Sequence, residues 1–200
     1  MSYNGPKVRI SRKIGVNITA KAKKITAKKA YAPGQHGPSK RRGKLSDYGK
    51  QLLEKQRLRL QYNISETQMA NYYKKAAHMT GNTGNIYIQL LETRLDALVY
   101  RAGFARSIYA ARQYVAHGHV MVNGNRLDRP SYHVKVNDVI SIQTKSQKME
   151  PIQEAIRSVM APAYLEVSKA DFSAKLVYVP PMEEVPITVE IPLVVEYYSR

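Results

Sequence analysis

The spacing of apolar positions changes character along the chain. Residues 1–43 hold few large apolar side chains and no sustained period, and the breakers Pro33, Gly34, Gly37 and Pro38 cluster within "APGQHGPSKRRG". Such a segment cannot offset its ordering entropy alone, so it is expected to be an arm that orders mainly on a polyanion. From Leu45 the period becomes helical: Leu45, Tyr48, Leu52 and Leu53 form one stripe, while Lys50, Lys55, Arg57 and Arg59 fill other faces to about Leu60. A second helix opens at Ser65, with Gln68 three residues on in a capping-box arrangement, and continues through Met69, Tyr72, Tyr73, Ala76 and Ala77 until "TGNTG" at 80–84 ends it.

A third helix is expected from about Asn85 to Ala102, buried through Ile88, Leu91, Leu95, Leu98, Val99 and Ala102, and stopped by Gly103. Ser107 then caps a fourth, "SIYAARQYVAHG", whose Ile108, Ala111 and Val115 face inward and whose Gly118 suits a left-handed exit. Beyond Gly118 the period falls to two. "VMVNGNRL" places Asn123-Gly124 at a hairpin turn, "SYHVKVND" alternates, and "VISIQ" adds a short strand. A short helix over Pro151 to Met160 and strand-like "AYLEV", "KLVYV" and "ITVEI" complete the chain.

The fold class expected is therefore α+β: a basic N-terminal arm (1–43), a mainly helical part, then two helices with a small antiparallel sheet, and a strand-rich end. At 200 residues and 44% hydrophobic content the chain can bury a core, expected as two modest domains.

Charge then narrows the function. Residues 1–60 carry 17 Lys and Arg against Asp47 and Glu54, a net of +15 out of the formal +17, so the charge is an N-terminal device. A field this concentrated favours a polyanion through counterion release, and nucleic acid is the leading partner. An anionic membrane fits poorly, because the basic segment has no companion apolar face. No apolar run approaches the roughly 20 residues that span a bilayer. The start of the chain lacks the apolar core of a secretory signal, so the cytoplasm or an organelle interior is expected. With no cysteine, disulfides and thiolate zinc sites are excluded.

Candidate chemistry gathers on the third and fourth helices. Arg94 and Arg101 are seven apart on nearly one stripe, and Arg106, Arg112, Gln113 and His117 fall at the start or along exposed rows of the next helix. Such donors on a rigid frame suit the phosphates and 2′-hydroxyls of A-form RNA; an ordinary charged helix surface is the plain alternative. His117 and His119 suggest a metal site or an acid–base pair, yet no cysteine, clustered carboxylate or positioning partner lies close in sequence. "TRLDALVY" (93–100) shares only Arg-Leu-Asp with the aspartate motif of pseudouridine synthases, and Asp96 is more simply paired with a neighbouring cation. Tyr72, Tyr73, Tyr197 and Tyr198 offer base-stacking platforms or, more simply, packing. No phosphate-loop glycine pattern is present.

These residues, with "GPKVRISRKIG" (5–15), "PGQHG" (33–37), "LSDYGKQLLEKQRLR" (45–59), "NYYKKA" (71–76), "GNTGN" (81–85), "RLDALVYRAGFA" (94–105), "ARQYVAHGHVMVNG" (111–124) and the ending "VVEYYSR", resemble the universal small-subunit ribosomal protein four family, bacterial or organellar type, over nearly the whole chain. The resemblance implies a non-enzymatic primary binder of 16S-type rRNA that nucleates the subunit body at a junction in the 5′ domain. It implies that 92–157 is the family's RNA-binding domain, a module also appended to some tRNA synthetases and pseudouridine synthases, between a mainly helical domain (44–91) and a C-terminal strand-rich extension (158–200) packed on the preceding domains. An RNA-modifying enzyme or RNA-binding factor using that module is the alternative. Implied rRNA-binding residues are Arg9, Arg12, Lys13, His36, Tyr48, Lys50, Arg57, Arg94, Arg101, Arg106, Arg112, Gln113, His117, His119 and Asn123. Lys40, Arg41, Arg42 and Lys44 are implied at the mRNA entrance. Small-subunit protein five is the implied protein partner, with an influence on translational accuracy; no cofactor, membrane or small-molecule substrate is implied. Many relatives hold zinc through N-terminal cysteines, but Val8 and Ser11 stand where two of these would be, so the resemblance is to the zinc-free form.

Overall fold

A computed structural model describes residues 3, 5–39, 45–158 and 160–200. The chain forms two compact units, Met1–Gly84 with Ile187–Arg200, and Asn85–Pro186.

In the first unit, the segment expected to be a basic arm ordering mainly on a polyanion contains two helices, α1 (Lys7–Ile14) and α2 (Ala20–Lys28). Few apolar groups are present, but Ile14, Ile18 and Ala22 are all buried, and local bonds close the helix ends. Gly15, at φ 75°, ends α1 with its N–H on the Ser11 carbonyl, and the Thr19 side chain accepts from Ala22 N at 3.2 Å to cap α2. The buried Ser11 hydroxyl donates to the Lys7 carbonyl and accepts from Ile18 N, joining α1 to the loop that follows it.

Helix α3 (Asp47–Gln61) starts at a Ser46 cap, as the hydrophilic lead into its pattern requires. Its buried face differs from the expected stripe. Leu45 and Tyr48 are about half exposed, whereas Gln51, Glu54, Lys55 and Leu58 are buried. The reason is polar satisfaction from far along the chain. Gln51 donates to Glu196 at 2.9 Å, Glu54 accepts from Glu190 N at 3.1 Å, and Lys55 Nζ lies 4.4 Å from the Tyr197 ring centroid and 2.9 Å from Glu66. Buried polar groups are tolerated when partners of this kind are supplied. The second expected helix is α4 (Glu66–Ala77), and both halves of its capping box form between Ser65 and Gln68.

The segment "ITVEI" is not a strand. Thr188 exchanges bonds with the Gln61 side chain, and Glu190 N is taken by Glu54, so side chains of α3 hold the backbone groups a sheet would have used. Helix α10 (Ile191–Ser199) follows, with Pro192 in its first turn where a missing N–H is harmless. Its Ile191 and Val194 are buried, Tyr198 donates to Glu66 at 2.7 Å, and Tyr198 stacks on Tyr73. The expected strand-rich extension of 158–200 thus divides, its last part completing the first unit.

In the second unit the expected single helix over 85–102 is two, α5 (Thr83–Glu92) and α6 (Leu95–Arg101). Thr93 and the extended Arg94 interrupt it because residues 130–134 capture their backbone: Val134 N bonds Thr93 O, Leu95 N bonds Tyr132 O, and Asp96 N bonds Pro130 O. The expected strand "SYHVKVND" is used for this stitch, with His133 bridging Arg94, and stays out of the sheet. Gly103 (φ 80°) ends α6 in a Schellman arrangement, with Phe104 N on Val99 O.

Helix α7 (Ile108–Ala116) is capped by Ser107, and His119 N bonds Tyr114 O around Gly118 (φ 71°) at its end. Strands β1 (Val120–Val122) and β2 (Asn125–Leu127) then turn through Asn123 and Gly124, both at positive φ, as a two-residue hairpin requires. With β3 (Val139–Ile142), β4 (Leu165–Ser168) and β5 (Ser173–Leu176) they build one antiparallel sheet in the order β2-β1-β3-β5-β4. A four-residue turn of helix, α8 (Thr144–Gln147), and α9 (Glu150–Ser158) lie between β3 and β4. Val120, Val122, Ile140, Ile142, Ala174 and Leu176 share a core with Leu95, Leu98, Val99, Ala111, Val115 and Ile152.

Candidate nucleic-acid interface

The fifteen positions from Arg112 to Arg126 carry the candidate face. Gln113 and His117 are four apart on α7, so they stand one above the other, and both are exposed. His119 follows the left-handed exit at Gly118, half-buried, with Nδ1 2.9 Å from the buried Ser146 hydroxyl and its ring 6.0 Å from that of His117. Its environment is a packed corner, edge-on to Tyr114. Among the described residues no group of three His, Cys, Asp or Glu side chains is placed to hold a metal ion.

The arginines of the helix pair are engaged by carboxylates. Arg94 is fully buried and grips Asp96 with two bonds of 3.0 and 2.7 Å, so the expectation that it faces RNA is corrected: it sits at the break between α5 and α6, inside the core. Arg101 Nε bonds the buried Glu92 at 2.6 Å, and Tyr164 closes the same carboxylate. Burial, with the Glu92 charge beside it, pushes the Tyr164 hydroxyl pKa well up from its ordinary value. Arg106 is exposed and paired with Glu154, and Arg112, a quarter exposed, lies 3.5 Å from Asp96. Asp96 thus holds both Arg94 and Arg112, leaving this triad one net positive charge at the α7 surface.

Asn123 is exposed but structural in its bonding. Its amide donates to Asp138 at 2.8 Å and its carbonyl accepts from Val139 N at 2.9 Å, pinning the hairpin turn to the start of β3. Across that hairpin stands Arg126, opposite Met121 in register, exposed, with Nη2 on the His117 carbonyl at 3.2 Å. Sequence reasoning passed over Arg126 because it looked to helical rows; the strand alternation from Asn123-Gly124 was the available signal.

In the first unit Arg9, Lys13 and His36 are exposed. Lys21, Lys24 and Lys28 form a further exposed row on α2. Arg12 is turned back to the Tyr31 and Ala32 carbonyls, its guanidinium over the Tyr31 ring. Arg57 binds Glu54 and the Ile14 carbonyl, so it docks α1 on α3. Lys50 is exposed and paired with Asp47, and Tyr48 is half exposed with its ring 5.9 Å from that of Tyr197. Lys40, Arg41, Arg42 and Lys44 lie outside the described residues.

Residues 2–92 match the model of the ribosomal protein S4/S9 N-terminal domain, and residues 93–140 match that of the S4 domain. These two matches define a ribosomal protein of the kind that joins a helical domain to an S4-type RNA-binding domain. The chain is 49% identical over 199 residues to small ribosomal subunit protein uS4 of Bifidobacterium adolescentis, covering 96% of this chain and 95% of that one. It is 47% identical to that of Thermobifida fusca over the full length of both, and 44% identical to that of a Geobacillus species over 99% of this chain and 98% of its relative. The chain belongs to the uS4 family, bacterial type, whose members are structural, non-enzymatic proteins, and its lack of cysteine agrees with the zinc-free form.

Proposed function

We propose that this protein is a constituent of the small ribosomal subunit and a primary binder of its rRNA, nucleating assembly of the subunit body at a junction in the 5′ domain. The observation that carries this reading is the solvent-facing end of α7, where Gln113, His117 and the Asp96-held Arg112 lie beside a hairpin, within a chain whose first 60 residues have a net charge of +15. Donors fixed on capped helices suit phosphates and 2′-hydroxyls, and the N-terminal charge supplies long-range attraction. The domain spanning 92–157, extended by β4 and β5, serves as the RNA-binding domain, and residues 1–43 add a second contact through Arg9, Lys13, His36 and the α2 lysines. The family resemblance supports Lys40, Arg41, Arg42 and Lys44 at the mRNA entrance, small-subunit protein five as a neighbour, and an effect on translational accuracy in the ribosome of the cytoplasm or an organelle interior.

The test is footprinting and filter binding of the purified protein on a transcript of the small-subunit rRNA 5′ domain. Saturable, salt-dependent protection localised to one junction is expected. Protection spread evenly along the RNA, equal to that on an unrelated transcript, would overturn the reading.

A further inference from the structure

The carboxylates of the helix pair leave a question about which arginine meets the RNA. Arg94, Arg101, Arg106 and Arg112 each pair with an acid of this chain, whereas Arg126 forms no ion pair among the described residues. It is nevertheless fixed in place. Its Nη2 donates to the carbonyl of His117, at the C-terminal end of α7 where helix carbonyls lack partners. The guanidinium also occupies the space over Gly118. A methyl group built there would fall on it, 2.6 Å from Cζ and closer still to its nitrogens. Gly118 is glycine for its φ of 71°, and its missing side chain leaves the space that Arg126 occupies.

We infer that Arg126, seated on Gly118 and the His117 carbonyl, is a phosphate-binding residue of the RNA-contact face. One Nη2 hydrogen is used by His117, and the rest of the planar fork remains for an anion beside the exposed His117 and Gln113 side chains. The carbonyl contact limits how much side-chain freedom is lost when phosphate arrives, since Arg already lies in one place. This inference rests on the RNA-binding reading and adds to it the residue and the chemical group it takes.

Full-length protein and the 5′-domain transcript provide the test, with affinity measured across a range of salt. Arg126→Ala should weaken binding about tenfold and lower the dependence of log affinity on log salt by about one phosphate contact. Arg126→Lys should restore the salt dependence but only part of the affinity, because a point charge replaces a fork. Gly118→Ala should weaken binding in the native background and have no further effect in the Arg126→Ala background, with thermal unfolding run in parallel. If Gly118→Ala does not fold, the two position-126 variants decide. Wild-type binding with Arg126→Ala equal to it would overturn this inference and leave the RNA-binding reading intact; no wild-type binding would overturn both.

Discussion

The hydroxyl of Tyr164 donates to the carboxylate of Glu92 at 2.7 Å, with neither side chain exposed, and Arg101 meets the same oxygen at 2.6 Å. Removing the hydroxyl in Tyr164→Phe deletes one donor to a buried charge, and a loss of about 1–3 kcal/mol is expected. Glu92→Ala strands both partners and should lose more, about 3–5 kcal/mol. Denaturant unfolding of the two variants checks the order; equal stabilities would show that the carboxylate is not the centre of the cluster.

Arg94 and Asp96 make the same point about location. Arg94→Ala leaves a buried carboxylate with the Ala97 N–H and the more distant Arg112, so a destabilisation of about 3–5 kcal/mol is expected. Measured where the variant is still folded, its RNA affinity should match the native protein. A large loss of affinity with native stability would restore Arg94 to the RNA-contact set.

Acid should act on the first unit through Glu66. Partial burial raises the pKa of this carboxyl, but bonds from Lys55 and Tyr198, with the Lys55 and Arg59 charges, outweigh it and hold the pKa below its ordinary value. A carboxylate held low in the folded state contributes its stability above the ordinary Glu range and loses it as pH falls through the lowered value. Stability should therefore decline on acidification below about pH 4.5, the ordinary Glu value, and Glu66→Gln should flatten that part of the profile. Unfolding midpoints from pH 3 to 7 compare the two; identical curves would remove Glu66 from the account.

Helix α1 should be protected in free protein. Arg57 Nε reaches the Ile14 carbonyl at 2.8 Å, and Arg57→Ala should raise amide exchange across residues 7–14 while leaving α6 unchanged. Fast exchange of α1 in the native free protein would favour an arm ordered only by RNA.

Where the chain supplies its own signal, the sequence was readable: Ser65 with Gln68, Ser107, Gly103, Gly118 and the Asn123-Gly124 turn all act locally, and each takes the role its type suggests. The misses need distant partners. The break at Thr93-Arg94 depends on residues 130–134, and the buried polar face of α3 depends on Glu190, Glu196 and Tyr197. The same holds at the candidate face. Gln113 and His117 followed from helical spacing, but which arginines are occupied by Glu92, Asp96 and Glu154 is a tertiary fact, and Arg126 comes into view only when strand β2 is laid beside the end of α7.

The segment that bonds Gln51, Glu54 and Lys55 begins at Glu190 and continues into α10, after the whole of the Asn85–Pro186 unit. During vectorial synthesis the later-numbered unit has all its elements available first, while the carboxylate, ammonium and amide of α3 still lack their partners from residues 190–197. Folding order along this chain is thus expected to invert sequence order, with Asn85–Pro186 structured before Met1–Gly84 acquires the helix that completes it.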